Sequence, residues 1–380
     1  MRIAQIAPLC EAVPPKTYGG TERVVAYLTD ALVDLGCAVT LFASAEARTR
    51  ARLIAMRDQA IRLDTDPLTS ELAAHLTMLK QVRSLAHEFD LLHFHMEALH
   101  FPLFEQVAHR TLTTLHGRQD CKDLAPLYRA WPQYPLVSIS HRQRSPLAGA
   151  HWVGTVPHGI PLSAYPFSAH ANRDYLAFLG RISPEKRPDV AIRVARLAGV
   201  PLKIAAKVDR ADAEYFRQTI RPLLDHPLVE YIGEIGEDQK AAFLGNALAL
   251  MFPINWPEPF GLVMIEAMAC GTPVIAWNLG SVPEVIDDGI TGRIVDSDQA
   301  AVIAIDWARS VDHVRIREVC ERRFSAHTMA RRYLEIYRHV LRRKSLEVLP
   351  GSAAAGTVAV AGGTVAVAAG TAAAIARTIL

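Results

Sequence analysis

"YLAFLGRISPEKRPDVAIRVARLAGVPLKIAA" occupies residues 175–206. An apolar run at 175–179 is followed by a polar turn, a helical stretch at 188–198 and a second apolar run at 202–206. The same rhythm runs through most of the chain. Strands are expected at 2–7, 38–43, 90–94, 111–115, 136–139, 153–156, 228–232, 248–252 and 273–277, with helical patterns between most of them. At 22–36 the apolar residues Val24, Val25, Leu28, Leu32 and Leu35 form a stripe of helical period that Gly36 closes. Alternation of strand and helix implies parallel sheets with helical crossovers, hence an α/β fold. The stretch "PHGIPLSAYPFS" at 157–168 breaks the rhythm. It divides the chain into an N-terminal domain, 1–163, and a C-terminal domain, 164–345, followed by an Ala/Gly/Thr/Val tail at 346–380.

Composition excludes several classes. With 50% hydrophobic and 21% charged residues, the 380-residue chain is neither disordered throughout nor collagen-like. Its 41 Lys plus Arg against 39 Asp plus Glu leave no basic arm for nucleic acid. Five scattered cysteines without a CxxC pair fit buried, reduced thiols. The start, "MRIAQIAP", reads as a buried strand rather than a leader, so a cytoplasmic protein is expected. No charge occurs between Ala353 and Ala376, and "TVAVA" repeats at 357–361 and 364–368. This is read as a low-complexity tail in preference to a membrane anchor. Segment 309–344, with 11 Lys plus Arg against 4 acidic residues, is read as a solvated helix, peripheral contact with anionic lipid being the alternative.

In parallel sheets, ligands bind at the C-terminal ends of strands. After the first strand come Gly19 and Gly20, opening a helix whose amides suit a phosphate or hydroxyl, although neither GxGxxG nor GxxxxGK[ST] is present. His116-Gly117 and His158-Gly159 follow two other strands, and His93 and His95 share a strand face that reads as packed rather than metal-binding. "GRISPEKRP" at 180–188 supplies Arg181 and Lys186, charges of the kind a departing diphosphate needs. "NWPEPFGLVMIEAMACGTPVIAWNLGSVPEVIDDGITGRIV" at 255–295 places Glu258 just before a helix at about 261–270 and Glu266 two turns further on. Because a carboxylate in so apolar a stretch is costly unless partnered, Glu266 is expected to face a polar ligand.

Glu258 and Glu266, spaced as E-x7-E, together with "EPFGLVMIEAMACGTPVIA" and "GSVPEVIDDGITGRIV", resemble the donor-binding signature of family 4 retaining glycosyltransferases. The resemblance runs from residue 1 to about 340 and is strongest at 176–295. It implies the GT-B fold, two Rossmann-like domains facing across a cleft, the second binding a nucleotide-diphosphate sugar and the first an acceptor. It assigns Arg181 and Lys186 to the diphosphate and Glu266 to the ribose hydroxyls. Glu258, with the backbone of Phe260, Gly261 and Leu262, goes to donor sugar and phosphate, Gly20 to the phosphate from the opposite domain, His116 to the sugar, and Gly233-Glu234 to the base. Where the family often has Asn-Gly-[Val/Ile]-Asp, this chain has His158-Gly159-Ile160-Pro161.

The implied activity is metal-independent hexosyl transfer to a glycan, lipid or small-molecule acceptor, with the nucleotide-sugar as co-substrate and no cofactor. Protein cations stand where other transferases place a divalent ion on Asp-x-Asp. The two Asp-x-Asp triplets here, at 64–66 and 296–298, are read as solvated loops. A nucleotide-sugar epimerase and a non-catalytic nucleotide-sugar binder are the alternatives.

Overall fold

The computed structural model describes residues 1–16, 19–66 and 70–347, so the low-complexity tail lies almost wholly outside the described residues. Among these residues thirteen strands form two sheets. The first contains β1 (Arg2–Ile6), β2 (Ala38–Ser44), β3 (Arg52–Arg57), β4 (Leu91–Phe94), β5 (Thr111–Thr114), β6 (Leu136–Ser138) and β7 (Trp152–Thr155), in the order β3-β2-β1-β4-β5-β6-β7. The second contains β8 (Tyr175–Arg181), β9 (Leu202–Lys207), β10 (Val229–Gly233), β11 (Ala247–Phe252), β12 (Val274–Trp277) and β13 (Gly292–Val295), in the order β10-β9-β8-β11-β12-β13. Every ladder is parallel. Each order reverses beside its first strand, between β1 and β4 and between β8 and β11, the switch points where doubly wound sheets bind ligands.

Local sequence explains these elements. Strand β11, "ALALMF", is buried along its whole length, as a strand covered by helices on both faces must be. The helix Pro188–Ala198 opens on a proline whose missing N–H costs nothing there and ends at Gly199, with φ +66°. Its Val190, Ile192 and Val194 are fully buried against the second sheet. Each such side chain contributes roughly 1.5–3 kcal/mol.

The last helix, Ala326–Glu347, crosses back to the first domain. Met329, Tyr333, Leu334 and Tyr337 on this helix complete a core with Val24, Leu28, Leu112 and Val137. Gly154 on β7 makes room for it, since a Cβ there would lie 2.6 Å from Ile336. Much of the charge in this region is paired internally, Arg317 with Glu321 at 2.6 Å and Arg323 with Asp287 at 2.6 Å. No helix among the described residues is long and apolar enough to cross a membrane.

Candidate active site

The C-terminal side of the cleft is built on the ends of β8 and β11. Lys186, in the turn after β8, forms an ion pair with Glu258, which follows β11. The indole Nε1–H of Trp256 donates to the same carboxylate oxygen at 3.1 Å, and the Lys186 ammonium lies 4.6 Å from the centre of the Trp256 ring. Glu258 is 8% exposed, so the ammonium supplies the charge its burial requires. Its backbone is held as well, because Ser281 N–H donates to Glu258 O at 3.0 Å. Gly280 makes that approach possible: with φ +54°, a Cβ would overlap the backbone N and O of Glu258. Gly280→Ala is therefore expected to destabilise the fold by roughly 1–3 kcal/mol and to displace Glu258, read as a lowered urea midpoint together with loss of activity.

Arg181, the other expected phosphate cation, is engaged elsewhere. It meets Glu185 at 2.8 Å, Asp209 at 3.4 Å and Asp212 at 3.8 Å. The structure thus brings Lys186 and Glu258 together and gives Arg181 its own set of carboxylates.

Two helix starts from the two domains lie against each other. The helix Gly20–Asp34 begins beside Gly19, and Gly20 faces Leu262 of the helix Leu262–Ala269, a Cβ on Gly20 lying 3.8 Å from Leu262 Cδ1. The first amides of each helix lack partners within it and carry the positive end of the dipole. The turn before Leu262 is clamped from both domains. Ser140 Oγ donates to Pro259 O at 2.7 Å and Ser281 Oγ donates to Phe260 O at 2.8 Å, while Gly261 adopts φ +80°. Facing helix starts with a lysine beside them are an electrostatic cradle for an anion.

Glu266 is 2% exposed and faces protein partners. Lys240 Nζ lies 2.9 Å away and Tyr165 O–H donates to it at 3.1 Å. The Lys240 ammonium supplies the charge that the burial of Glu266 requires. The same network crosses the cleft: the single Tyr165 O–H is shared with Glu237, 2.6 Å away, Lys240 meets Glu237 at 3.0 Å, and Arg23 and Tyr27 of the first domain both reach Glu237. With its side chain 4% exposed, Arg23 is a buried link between the domains. Sequence reading found none of these partners; the available signal was Glu237 and Lys240 spaced i,i+3 at a helix start.

On the N-terminal side, His116 follows β5. Its Nε2 is 2.9 Å from Nδ1 of His95, and its ring stacks on His158 at 5.3 Å, which in turn meets Phe260 edge-on at 4.9 Å. Burial pushes the His116 imidazole down to about 3, and it holds His93, His95 and His158 neutral as well. Glu97, with φ +50°, accepts from the backbone N–H groups of His116 and Gly117 at 3.2 Å each and fixes that loop. Its carboxyl is raised by burial, against the pull of those bonds. Gly233 and Glu234 lie at the end of the edge strand β10, Gly233 with φ +78°. Of the Asp-x-Asp loops, Asp64 pairs with Arg57 at 2.5 Å and Asp298 with Arg193.

Comparison with known proteins matches both domains. Residues 166–314 fit the model for glycosyl transferases group 1, and residues 18–152 that for glycosyltransferase family 4. The chain belongs to this family of glycosyltransferases. Among its relatives, the D-inositol 3-phosphate glycosyltransferase of Mycolicibacterium smegmatis is 32% identical over 207 residues, 48% of this chain and 43% of that protein. Its counterpart in Mycobacterium tuberculosis is 34% identical over 153 residues, 37% of this chain and 29% of that protein. The chain thus matches less than half the length of these curated relatives. Among solved structures, a glycosyltransferase involved in avilamycin A biosynthesis superposes with a TM-score of 0.69 at 24% identity, covering 90% of this chain and 98% of that one. Sucrose-phosphate synthase from Thermosynechococcus elongatus gives 0.73 at 21%, covering 90% and 99%. Anabaena HepE, in complex with UDP and glucose, gives 0.69 at 16%, covering 89% and 100%. The fold is GT-B.

Proposed function

We propose that the protein is a retaining, metal-independent glycosyltransferase that moves a hexose from a nucleotide-diphosphate sugar to a hydroxylated acceptor. The observation that carries this reading is the Lys186–Glu258 ion pair just before the helix that starts at Leu262, with Gly20 of the first domain against Leu262. A diphosphate placed there would draw the Lys186 ammonium from Glu258 toward the leaving phosphate, releasing the carboxylate to accept from sugar hydroxyls. The charge that grows as the sugar–phosphate bond breaks would then meet an ammonium and two sets of amides already in place. His116, neutral above about pH 3, is suited to hydrogen bonding with the sugar and is not a proton store at neutral pH. On the acceptor side, a small cavity beside Glu258 is lined by Arg118, Gln119, Asp120 and Arg142, with Arg118 paired to Asp120 at 2.7 Å, a polar lining that suits a hydroxylated molecule.

The experiment incubates the protein with labelled nucleotide sugars in excess chelator and follows the products. Release of nucleoside diphosphate, with the anomeric configuration kept in any transferred sugar, is the expected result. Complete loss of release in chelator, restored by Mn²⁺ or Mg²⁺, would overturn metal independence and return attention to the Asp-x-Asp loops. Formation of an epimerised donor would establish an epimerase; tight binding with no turnover of any donor would establish a binder.

A further inference from the structure

Seven side chains of the first domain and the last helix form one hydrogen-bonded chain ending at His116. Tyr333 O–H and Thr114 Oγ1 are 2.9 Å apart, Thr114 Oγ1 and His93 Nε2 2.7 Å, and His93 Nδ1 and Tyr337 O–H 2.8 Å. From there Gln5 Nε2 donates to Tyr337 at 3.1 Å, Gln5 Oε1 lies 2.7 Å from His95 Nε2, and His95 Nδ1 lies 2.9 Å from His116 Nε2. Gln5, Thr114, His93, His95, Tyr333 and Tyr337 are all buried.

The direction of such a chain is not arbitrary. A neutral imidazole has one N–H and one lone pair, so fixing one end of each ring fixes the other. Because the Gln5 amide spends its N–H on Tyr337, its oxygen accepts from His95 Nε2–H. His95 Nδ1 is then an acceptor, His116 Nε2–H donates to it, and His116 Nδ1 is left as a bare lone pair. Turning the Gln5 amide over would reverse the donors from Tyr337 to His116 and put an N–H at His116 Nδ1. That atom is buried and has no hydrogen-bond partner among the described residues. The structure has the first of these arrangements, with Gln5 Nε2 on Tyr337 and Gln5 Oε1 on His95.

We propose that Gln5, His95 and Tyr337 are positioning residues whose hydrogen-bond direction holds His116 in the Nε2–H tautomer, leaving Nδ1 to accept a hydrogen bond from a hydroxyl of the bound ligand. The tautomer stands on this chain alone; that the hydroxyl belongs to a donor sugar rests on the transferase reading. Burial keeps His95 and His116 uncharged, so one tautomer persists across neutral pH. The arrangement also makes the last helix, which supplies Tyr337, part of the site's machinery although it lies behind the first sheet.

The test is long-range proton–nitrogen correlation NMR on the full chain labelled with [¹⁵N]histidine, His116 being assigned by His116→Gln. Wild type should show a protonated Nε2 and an unprotonated Nδ1, unchanged from pH 8 to pH 6. Gln5→Glu should keep that pattern, because both carboxylate oxygens accept. Gln5→Leu and Tyr337→Phe, which release the direction of the chain, should give averaged tautomers at His116. A protonated Nδ1 in wild type, or the wild-type pattern in both folded variants, would overturn the proposal. Saturation with UDP-glucose as the probe should move Nδ1 toward hydrogen-bonded shifts. Binding that leaves Nδ1 unmoved would overturn the acceptor role, whereas absence of binding by calorimetry would count against the donor-sugar reading while the tautomer result stands.

Discussion

Turnover of Lys186→Ala is expected to fall by about two orders of magnitude or more at saturating donor, the loss typical when one preorganised electrostatic donor is removed from a developing oxyanion. The substitution has a second, structural effect that must be separated from the first. Lys186 neutralises Glu258, whose side chain is 10% exposed, and without it the carboxylate keeps only the Trp256 N–H as a donor among its side-chain contacts. Leaving a charged group so poorly matched costs about 1.5–3 kcal/mol. Glu258→Gln combined with Lys186→Ala removes the orphaned charge and should recover most of that stability in urea unfolding. Turnover should not recover, since the ammonium that meets the leaving phosphate is still missing. Lys186→Ala retaining activity within tenfold of wild type would sink the role given to this residue, and recovery of turnover in the double variant would show that Lys186 serves only to neutralise Glu258.

The pairing of Lys186 with Glu258 also shows what a sequence does and does not carry. Both residues stand out locally, one at a helix start after an apolar run and the other before an interrupted helix, and both signals are short-range. That they touch depends on β8 and β11 being neighbours, a fact of strand order that no local pattern contains. For the same reason Arg181 was legible as a cation while Asp209 and Asp212, its partners beyond β9, were not. Glu266 was legible as a buried carboxylate, but Lys240, Tyr165 and the reach of Arg23 across the cleft were not. Among strands, the apolar runs marked the interior of both sheets, and the two strands missed are edges. β3, "RLIAMR", is partly exposed along its length and bracketed by arginines; β13, "GRIV", has four residues beginning with glycine. The other two edges, β7 and β10, did show as apolar runs, so what hid β3 and β13 is their own sequence, flanking arginines in one and a short, glycine-led run in the other.

Acid should unfold the N-terminal domain before the C-terminal one, at a pH where most proteins are stable. His93, His95, His100, His116 and His158 are held below the ordinary histidine range, chiefly by burial, and all five lie in or next to the first sheet. A group whose folded pKa is depressed is neutral in the native state and protonated in the unfolded chain below about pH 6.5, so stability is full above that value and falls as pH drops. Glu22 and Glu97, raised by burial, work in the opposite sense, since native protein binds their protons where the unfolded chain does not. Five depressed imidazoles stand against these two carboxylates, so unfolding takes up protons on balance and the stability of the domain falls as pH drops below about 6.5. Among the described residues the second domain has no comparable cluster: His313 is lowered but half-buried, and the depressed carboxylates Asp209 and Glu237 give up their contribution only at lower pH. Acid titration followed by circular dichroism, with limited proteolysis at each step, should show cuts within residues 1–160 first as pH falls below about 6.5. His100→Phe should move that midpoint to lower pH, because it removes one proton-accepting site while keeping a ring stacked on Phe94, 3.7 Å away in the wild type. Simultaneous cutting of both domains, or a midpoint that His100→Phe leaves in place, would show that the buried imidazoles do not control acid stability.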